Sequence, residues 1–410
     1  MHLTYKHTKI ACYCGYVVQA VIVNLPPLLF VLFQKNYGIS NEQLGRLVLL
    51  CFLTQLAVDL AAGIFAERIG IRRCILAAHI FAALGLTLLG ILPGLLSTAP
   101  YTALVIPTLL YSVGAGFIEV IISPTIEALP GDGKSASMSI LHSFYCWGQM
   151  GAVLLSTLFL LAFGQQRWYL LPILWALVPA CNCALFLRVP LAPPQPQETL
   201  ATLREIFSSR TLRLCFAVML CAGASELAMS QWASMFAEQA LGVTKAVGDL
   251  AGPCLFALLM GLTRAFGCRL SEKLDFTGVL LISAGLCIIC YMTAVFSGLS
   301  ALSLLGCAAT GMSIALMWPT TLSLAANRYP NGGTRMFALL AVFGDLGCSL
   351  GPWLTGFVSD RATQIPALAE HFRMLSPTQL GLKAGLLAAV IFPAAMAVCL
   401  LGIRKARTKT

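Results

Sequence analysis

Twelve long apolar segments divide the sequence, and each is close to the length that a helix needs to cross a lipid bilayer. Such a helix takes about 20 mostly apolar residues, and lipid offers no partners for free backbone groups, so these segments must form helices. We place them at residues 10–34, 44–66, 74–95, 104–128, 136–163, 168–188, 211–237, 247–268, 277–297, 299–326, 334–358 and 380–403. The sequence therefore predicts an all-α polytopic membrane protein.

The composition agrees with this prediction. Of 410 residues, 59% are apolar and 10% are charged, whereas a typical soluble domain is about 25% charged. We find no nucleophile and base arrangement, metal motif or phosphate-binding loop, so we expect neither an enzyme nor a cofactor.

The basic residues predict the orientation of the chain. If both termini are cytoplasmic, the inner segments contain 18 Lys and Arg residues and the outer segments contain 7, with Arg264 inside a helix. Cytoplasmic segments of membrane proteins carry this excess. We therefore expect cytoplasmic termini in a cell (inner) membrane, and we attribute the net charge of +10 to topology and not to nucleic-acid binding.

An internal repeat predicts two halves of six helices. Gly116 with "SPT" at 123–125 recurs as Gly311 with "WPT" at 318–320, and "GQMG" at 148–151 recurs as "GDLG" at 344–347. The polar, proline-rich segment between helices 6 and 7 separates the halves. We predict an N-terminal bundle at 1–188, a cytoplasmic linker at 189–210 and a C-terminal bundle at 211–410. Such repeats are typical of transporters that bind solute between two halves.

The loop after helix 2, "GIFAERIGIRR" at 63–73, resembles the signature of the major facilitator superfamily. Its Gly63 permits close helix approach. The charged residues are expected to form pairs that latch one transport state, or only to fix the topology; they are Glu67, Arg68, Arg72 and Arg73. The corresponding loop after helix 8 keeps only part of the pattern.

Helix 4 resembles one branch of that superfamily, the fucose permease-like sugar and proton symporters. The branch has a Gly, a Glu shortly after it and a Pro five residues past the Glu, as Gly116, Glu119 and Pro124 do here. "LHSFYCWGQMG" at 141–151 and "GASELAMSQW" at 223–232 are similar to helices 5 and 7 of the branch. The resemblance implies a proton-coupling and sugar-site role for Glu119. The sequence departs from the branch at Ser123, where an Asn is usual, and lacks an acid in helix 1.

Carboxylates inside the predicted helices are the candidate functional groups. A charge in the bilayer is costly, so such groups usually face a cavity or pair with one another. Glu119 and Glu226 are expected to bind protons or solute, with a structural ion pair as the alternative. We predict that Asp345 pairs with Arg264, the alternative being an anion clamp for the solute. Asp59 is expected to serve packing or gating in helix 2.

The remaining site predictions concern the solute and the cytoplasmic end of helix 4. Glu127 is expected to pair with the arginine cluster at 68–73. A sugar site combines hydrogen-bonding side chains with an aromatic face. The candidates are Asn24, Gln149 and Gln231 for the hydroxyl groups and Trp147, Trp232 and Trp318 for the ring face, although such aromatics are often packing or interfacial residues.

Taken together, these features predict a secondary active transporter, a proton-coupled symporter of a sugar or similar polyhydroxylated solute working by alternating access. Its expected partners are the small-molecule solute, protons and the lipid bilayer, and we expect a monomer. Two alternatives stay open: a proton-coupled exporter of amphipathic compounds, and a membrane sensor that binds solute without moving it.

Overall fold

The structure is a computed structural model, and it describes residues 3–130, 134–192, 203–271, 275–329, 332–372 and 374–407. The regular structure of these residues is helical. Among these described residues, eleven helices are long and apolar enough to cross a membrane, and a further apolar helix has 17 residues. The predicted all-α, twelve-helix membrane fold is confirmed.

We number the twelve helices in chain order. Some consist of two or three consecutive segments. They are α1 (Tyr5–Leu28 and Phe30–Tyr37), α2 (Asn41–Ile69), α3 (Ile71–Leu95), α4 (Pro100–Glu127), α5 (Lys134–Phe163), α6 (Leu170–Phe186), α7 (Arg210–Met235, then a π-helical turn Phe236–Ala240), α8 (Lys245–Asp249, a π-helical turn Leu250–Cys254, then Leu255–Ser271), α9 (Phe276–Phe296), α10 (Ser300–Ile314 and Met317–Arg328), α11 (Gly333–Thr363) and α12 (Pro377–Ala389 and Ile391–Arg407).

Prolines account for two of the interruptions. Proline has no backbone N–H and its ring obstructs the preceding turn, so a helix bends or breaks there. Helix α1 breaks at Leu29, directly after Pro26 and Pro27. Helix α10 breaks at 315–316, and Pro319 is the third residue of its second segment.

The chain forms two compact units, Met1–Ile39 with Leu50–Gln195 and Ser40–Leu49 with Pro196–Thr410. In the first unit α1 packs against α5, and α3 packs against α4 and α6. In the second unit α7 packs against α11, and α9 packs against α10 and α12. The same pairs of helices recur six positions later, as expected of a duplicated six-helix plan. The domain boundaries at residues 188 and 210 stay a prediction, and residues 193–202 of the linker lie outside the described part.

The repeated glycines of α4 and α10 allow close helix contact in each unit. A Cβ atom on Gly116 would lie 2.9 Å from Val58 Cβ and 3.0 Å from the Gln55 carbonyl oxygen, both in α2. A Cβ on Gly311 would overlap the Phe256 carbonyl oxygen in α8. Each glycine therefore seats the fourth helix of its half on the second.

The start of α2 belongs to the second unit. The backbone N–H groups of Asn41 and Glu42 donate to the two carboxylate oxygens of Asp360 in α11, at 3.2 and 2.7 Å. The first N–H groups of a helix have no partner within it, so an acid placed there satisfies them and favours the helix dipole. Asp360 thus caps α2.

Candidate functional site

In the first unit, Glu119 of α4 lies beside Gln19 of α1. The Gln19 amide donates a hydrogen bond of 2.9 Å to Glu119 Oε2. Gln19 is buried and Glu119 is partly buried. This hydrogen-bond partner is a neutral amide, so it supplies no positive charge to balance the Glu119 carboxylate.

Asp59 of α2 approaches the same carboxylate. One carboxylate oxygen of Asp59 lies within 4.8 Å of one of Glu119. Sequence analysis predicted packing or gating for Asp59, and the spacing of residues within α2 gave no sign of Glu119 as a neighbour. The close approach of α4 to α2 at Gly116, one turn before Glu119, is what brings the two acids together.

Aromatic and hydroxyl side chains extend this cluster. The Tyr16 hydroxyl of α1 lies 2.7 Å from Ser123 Oγ of α4, and the Tyr16 ring meets the His142 ring of α5 edge-on, with centroids 5.4 Å apart. Ser123 stands where the similar branch has Asn, and here it binds a tyrosine. The polar cluster thus joins α1, α2, α4 and α5 of the first unit.

In the second unit, Glu226 of α7 pairs with Arg264 of α8. Glu226 Oε2 lies 3.7 Å from Arg264 Nη2, and Glu226 is 7% exposed. Sequence analysis matched Arg264 with Asp345, which is a buried residue of α11. The structure adds Glu226 as a carboxylate partner of Arg264, and the pairing with Asp345 stays a prediction.

Arg264 also donates a hydrogen bond to a backbone carbonyl that Pro319 leaves without its usual partner. Residue 319 would normally donate its N–H to the carbonyl of residue 315, but Pro319 has no N–H. The Arg264 side chain fills this position, because its Nε–H donates to the Ala315 carbonyl at 3.2 Å. Broken helices are tolerated in membranes when side chains satisfy the freed backbone groups in this way.

The predicted solute-binding residues occupy different environments. The Asn24 amide donates within its own helix to the Ala20 carbonyl at 2.9 Å. Trp232 has no exposed surface and donates its indole N–H to the Pro352 carbonyl, which packs α7 on α11. Gln149 and Gln231 are buried, Trp318 is partly buried, and Trp147 is 38% exposed. Contacts of these residues with a solute stay predictions.

The signature loop at 63–73 has one well-defined role in the structure. Arg72 donates to the carbonyls of Phe186, Leu187 and Val189 at 2.6 to 3.0 Å. It thereby caps the C-terminus of α6, where unpaired carbonyls and the helix dipole favour a cation. Arg68, Arg73 and Glu127 are exposed.

The surroundings of the two other signature residues, Gly63 and Glu67, lie outside the described part of the structure. The latch and the pairing of Glu127 with the arginines stay predictions.

Sequence analysis missed a buried ion pair in the second unit. Lys245 Nζ lies 2.9 and 3.0 Å from the two carboxylate oxygens of Asp249, and 3.2 Å from Ser234 Oγ. The Ser234 hydroxyl also hydrogen-bonds to Asp249. Lys245 is 8% exposed and Asp249 is fully buried. Lys245 is one of the seven basic residues of the predicted outer segments, and its spacing of four residues from Asp249 on a helix was a usable signal of the pair.

His79 is a packing residue with satisfied nitrogens. Its Nδ1 lies 2.7 Å from the Ile75 carbonyl and therefore donates, while its Nε2 lies 2.8 Å from the Asn182 amide nitrogen. The ring is fully buried. These contacts give both ring nitrogens a hydrogen-bond partner.

Twelve helices in two units with the same helix pairing, together with acids and an arginine inside the apolar helices, define a membrane transporter of the duplicated type. The chain belongs to the Major Facilitator Superfamily, whose family model matches residues 12–352. A search of curated protein sequences gives no match.

Solved structures of transporters share this fold. A bacterial homologue of the human lysosomal transporter Spinster, inward-facing and unoccupied, is 15% identical, with a TM-score of 0.77 over 97% of both chains. The nucleoside transporter NupG is 13% identical, with a TM-score of 0.75 over 97% of this chain and 98% of its own. The E. coli fucose:proton symporter is 15% identical, with a TM-score of 0.62 over 96% of this chain and 98% of its own.

Proposed function

We propose that the protein is a proton-coupled symporter of a sugar or a related polyhydroxylated solute, working by alternating access. The observation that carries this proposal is the Glu119 carboxylate, placed inside an apolar six-helix unit with the neutral Gln19 amide as its hydrogen-bond partner at 2.9 Å. Burial disfavours the ionised form of a carboxylate, so such a group binds and releases a proton as its surroundings alternate between dry and wet.

Glu226 is assigned a different duty within the same proposal. Arg264 lies 3.7 Å away and offsets the cost of keeping the Glu226 carboxylate ionised. A carboxylate that stays charged next to guanidinium N–H groups can accept hydrogen bonds from solute hydroxyls. We therefore assign solute affinity to Glu226 and proton coupling to Glu119.

The nature of the solute is supported by similarity in fold alone. One similar structure is a fucose:proton symporter, and another is a nucleoside transporter with a higher TM-score. Sugars and nucleosides both present hydroxyl groups that amide and carboxylate side chains bind. The solutes to be tested therefore include both classes.

The test uses the purified protein in proteoliposomes with a panel of radiolabelled sugars and nucleosides. Wild type is expected to accumulate one of them only when the proton gradient is directed inward. Glu119→Gln keeps the shape and hydrogen-bonding capacity of the side chain but cannot titrate. It should lose proton-driven accumulation while still exchanging labelled for unlabelled solute.

Two matched variants sharpen the result. Glu205→Gln removes an exposed acid of the short helix Leu203–Ser208, outside the twelve numbered helices, and should leave accumulation unchanged, whereas Glu226→Gln should weaken apparent affinity and keep coupling. Full proton-driven accumulation by Glu119→Gln would refute the assignment of the coupling role. Outward movement of amphipathic compounds in place of uptake would favour the exporter.

A further inference from the structure

Asp59 and Glu119 form a pair of carboxylates at the contact between α2 and α4. Their nearest oxygens lie within 4.8 Å. The contact is built by Gly116, because a Cβ there would meet Val58 and the Gln55 backbone of α2. Asp59 follows Gln55 by one turn and Glu119 follows Gly116 by about one turn, so both acids lie on the helix faces that meet.

Two buried acceptor atoms of α2 at this contact need a hydrogen-bond donor. Among the described residues, none donates to Asp59 Oδ1 or to Gln55 Oε1. Gln55 is fully buried, and its amide nitrogen is turned to Cys51 of its own helix. A buried acceptor without a donor is unfavourable, and a carboxylate that carries a proton becomes a donor.

Two titratable neighbours within the first unit cannot neutralise the pair. Tyr16 of α1 and Cys51 of α2 interact electrostatically with Glu119, and neither side chain can become a cation. His142 of α5 lies against the Tyr16 ring. Two ionised carboxylates this close in partly buried positions repel each other, so one of them is protonated more readily than an isolated carboxylate.

We propose that Asp59 and Glu119 share one proton, which makes Asp59 a second proton-binding residue of the first unit. While the proton is held, one group is a neutral carboxylic acid and the other a carboxylate, so the two do not repel each other, and release of the proton leaves two anions. The proposal rests on the proposed function in so far as the shared proton is the one that Glu119 carries during transport. It replaces the packing or gating role that the sequence suggested for Asp59.

The pair is tested without transport, by the thermal unfolding of the purified full chain in detergent from about pH 5 to about pH 9. The folded pair binds a proton that the separated carboxylates of the unfolded chain do not bind in this range. Stability is therefore present at low pH and lost as pH rises. The wild-type unfolding midpoint should fall with rising pH.

Asp59→Asn and Glu119→Gln each remove one charge, so each should reduce the slope of the midpoint against pH to less than about half the wild-type value. The double variant should show no further change. Glu127→Gln on the exposed end of α4 should keep the wild-type slope. Asp345→Asn measures how much the buried acid in α11 contributes to the wild-type slope. Asp59→Asn is close to isosteric; if it is not recovered, Glu119→Gln reports on the same pair.

A wild-type slope in Asp59→Asn or in Glu119→Gln overturns the proposal, as do additive effects in the double variant. These outcomes are separate from those of the transport assay. If the slopes change as expected but no solute is accumulated, the pair stands and the proposed function fails. If accumulation depends on Glu119 and the Asp59→Asn slope is unchanged, the proposed function stands and the pair fails.

Discussion

Glu226 and Arg264 lie 3.7 Å apart in the second unit, where the carboxylate is buried and the guanidinium also holds the Ala315 carbonyl freed by Pro319. Arg264 therefore links α7, α8 and the break in α10. An arginine suits this position because its planar group carries several donors that can serve a carboxylate and a carbonyl at once. The break in α10 and the charge in α7 are stabilised by one side chain.

Removing either partner should destabilise the protein. Arg264→Gln leaves the Glu226 carboxylate without this cation, and we expect a loss of about 1–3 kcal/mol in the free energy of unfolding. Glu226→Gln should cost less, because Arg264 keeps its bond to Ala315 and is more exposed. The double variant should recover part of the loss, which thermal unfolding in detergent measures.

A double-mutant cycle identifies the carboxylate that interacts with Arg264 most strongly. We expect a coupling energy of about 0.5–3 kcal/mol between Arg264 and Glu226. The same cycle with Asp345→Asn measures the pairing predicted from sequence. Additivity of Arg264→Gln and Glu226→Gln, with coupling to Asp345 alone, would show that the sequence-based pairing is the energetically relevant one.

Breaking the buried Lys245–Asp249 pair should lower the free energy of unfolding far more than breaking an exposed pair of the same spacing. Asp249→Asn leaves a nearly buried ammonium group without its counter-ion, and breaking such a pair costs about 3–5 kcal/mol. Changing both residues, Lys245→Met with Asp249→Leu, should restore much of the stability.

Glu42 and Arg46 provide the control, because they also lie four residues apart on a helix but Arg46 is 48% exposed. Glu42→Gln is expected to change the free energy of unfolding by no more than about 0.5 kcal/mol. Equal losses in Asp249→Asn and Glu42→Gln would contradict the argument from burial.

Thiol labelling of single cysteines measures the orientation of the chain in the membrane. The excess of Lys and Arg predicts cytoplasmic termini and a cytoplasmic segment at 189–210. Single cysteines at positions 195 and 298, in a background without the native cysteines, test this with a membrane-impermeant thiol reagent. Position 298 should be labelled from outside intact cells and position 195 only after lysis. Labelling of position 195 from outside intact cells would contradict the predicted topology.

The sequence predicted the parts of the fold that depend on local length and pattern. Each apolar run matched a helix because backbone groups in lipid have to be satisfied within the segment. The spacing that repeats Gly116 as Gly311 indicated two similar halves, since both glycines seat neighbouring helices. Helix ends were less predictable where prolines or π-helical turns interrupt them, as in α8 and α10.

The candidate site was predictable as a set of residues but not as a set of partners. A charged side chain within the bilayer has a high free-energy cost, so acids in apolar helices are easily recognised. Glu119, Glu226 and Asp59 were therefore identified individually. Their neighbours depend on how helices rotate and pack, which a single sequence does not specify. The proximity of Asp59 to Glu119 and the carboxylate beside Arg264 therefore emerged only from the structure.

The repeated glycine motif of α5 and α11 gives a sharp test of packing, because its two copies differ in their surroundings. Gly347 of α11 lies against α7, where an added Cβ would overlap the Leu220 carbonyl oxygen. Gly151, the matching position of α5, has no atom within 4 Å of an added Cβ. Backbone atoms cannot move aside as a side chain does, so Gly347→Ala should cost about 1–3 kcal/mol.

Gly151→Ala should have the opposite sign. Glycine within a helix is less favourable than alanine by about 0.5–1 kcal/mol, and open space removes the steric penalty. The two variants add the same methyl group at equivalent places of the repeat, so unfolding midpoints measured side by side isolate the effect of the helix contact. Equal stability of the two variants would mean that α11 does not pack on α7 through Gly347 as the structure describes.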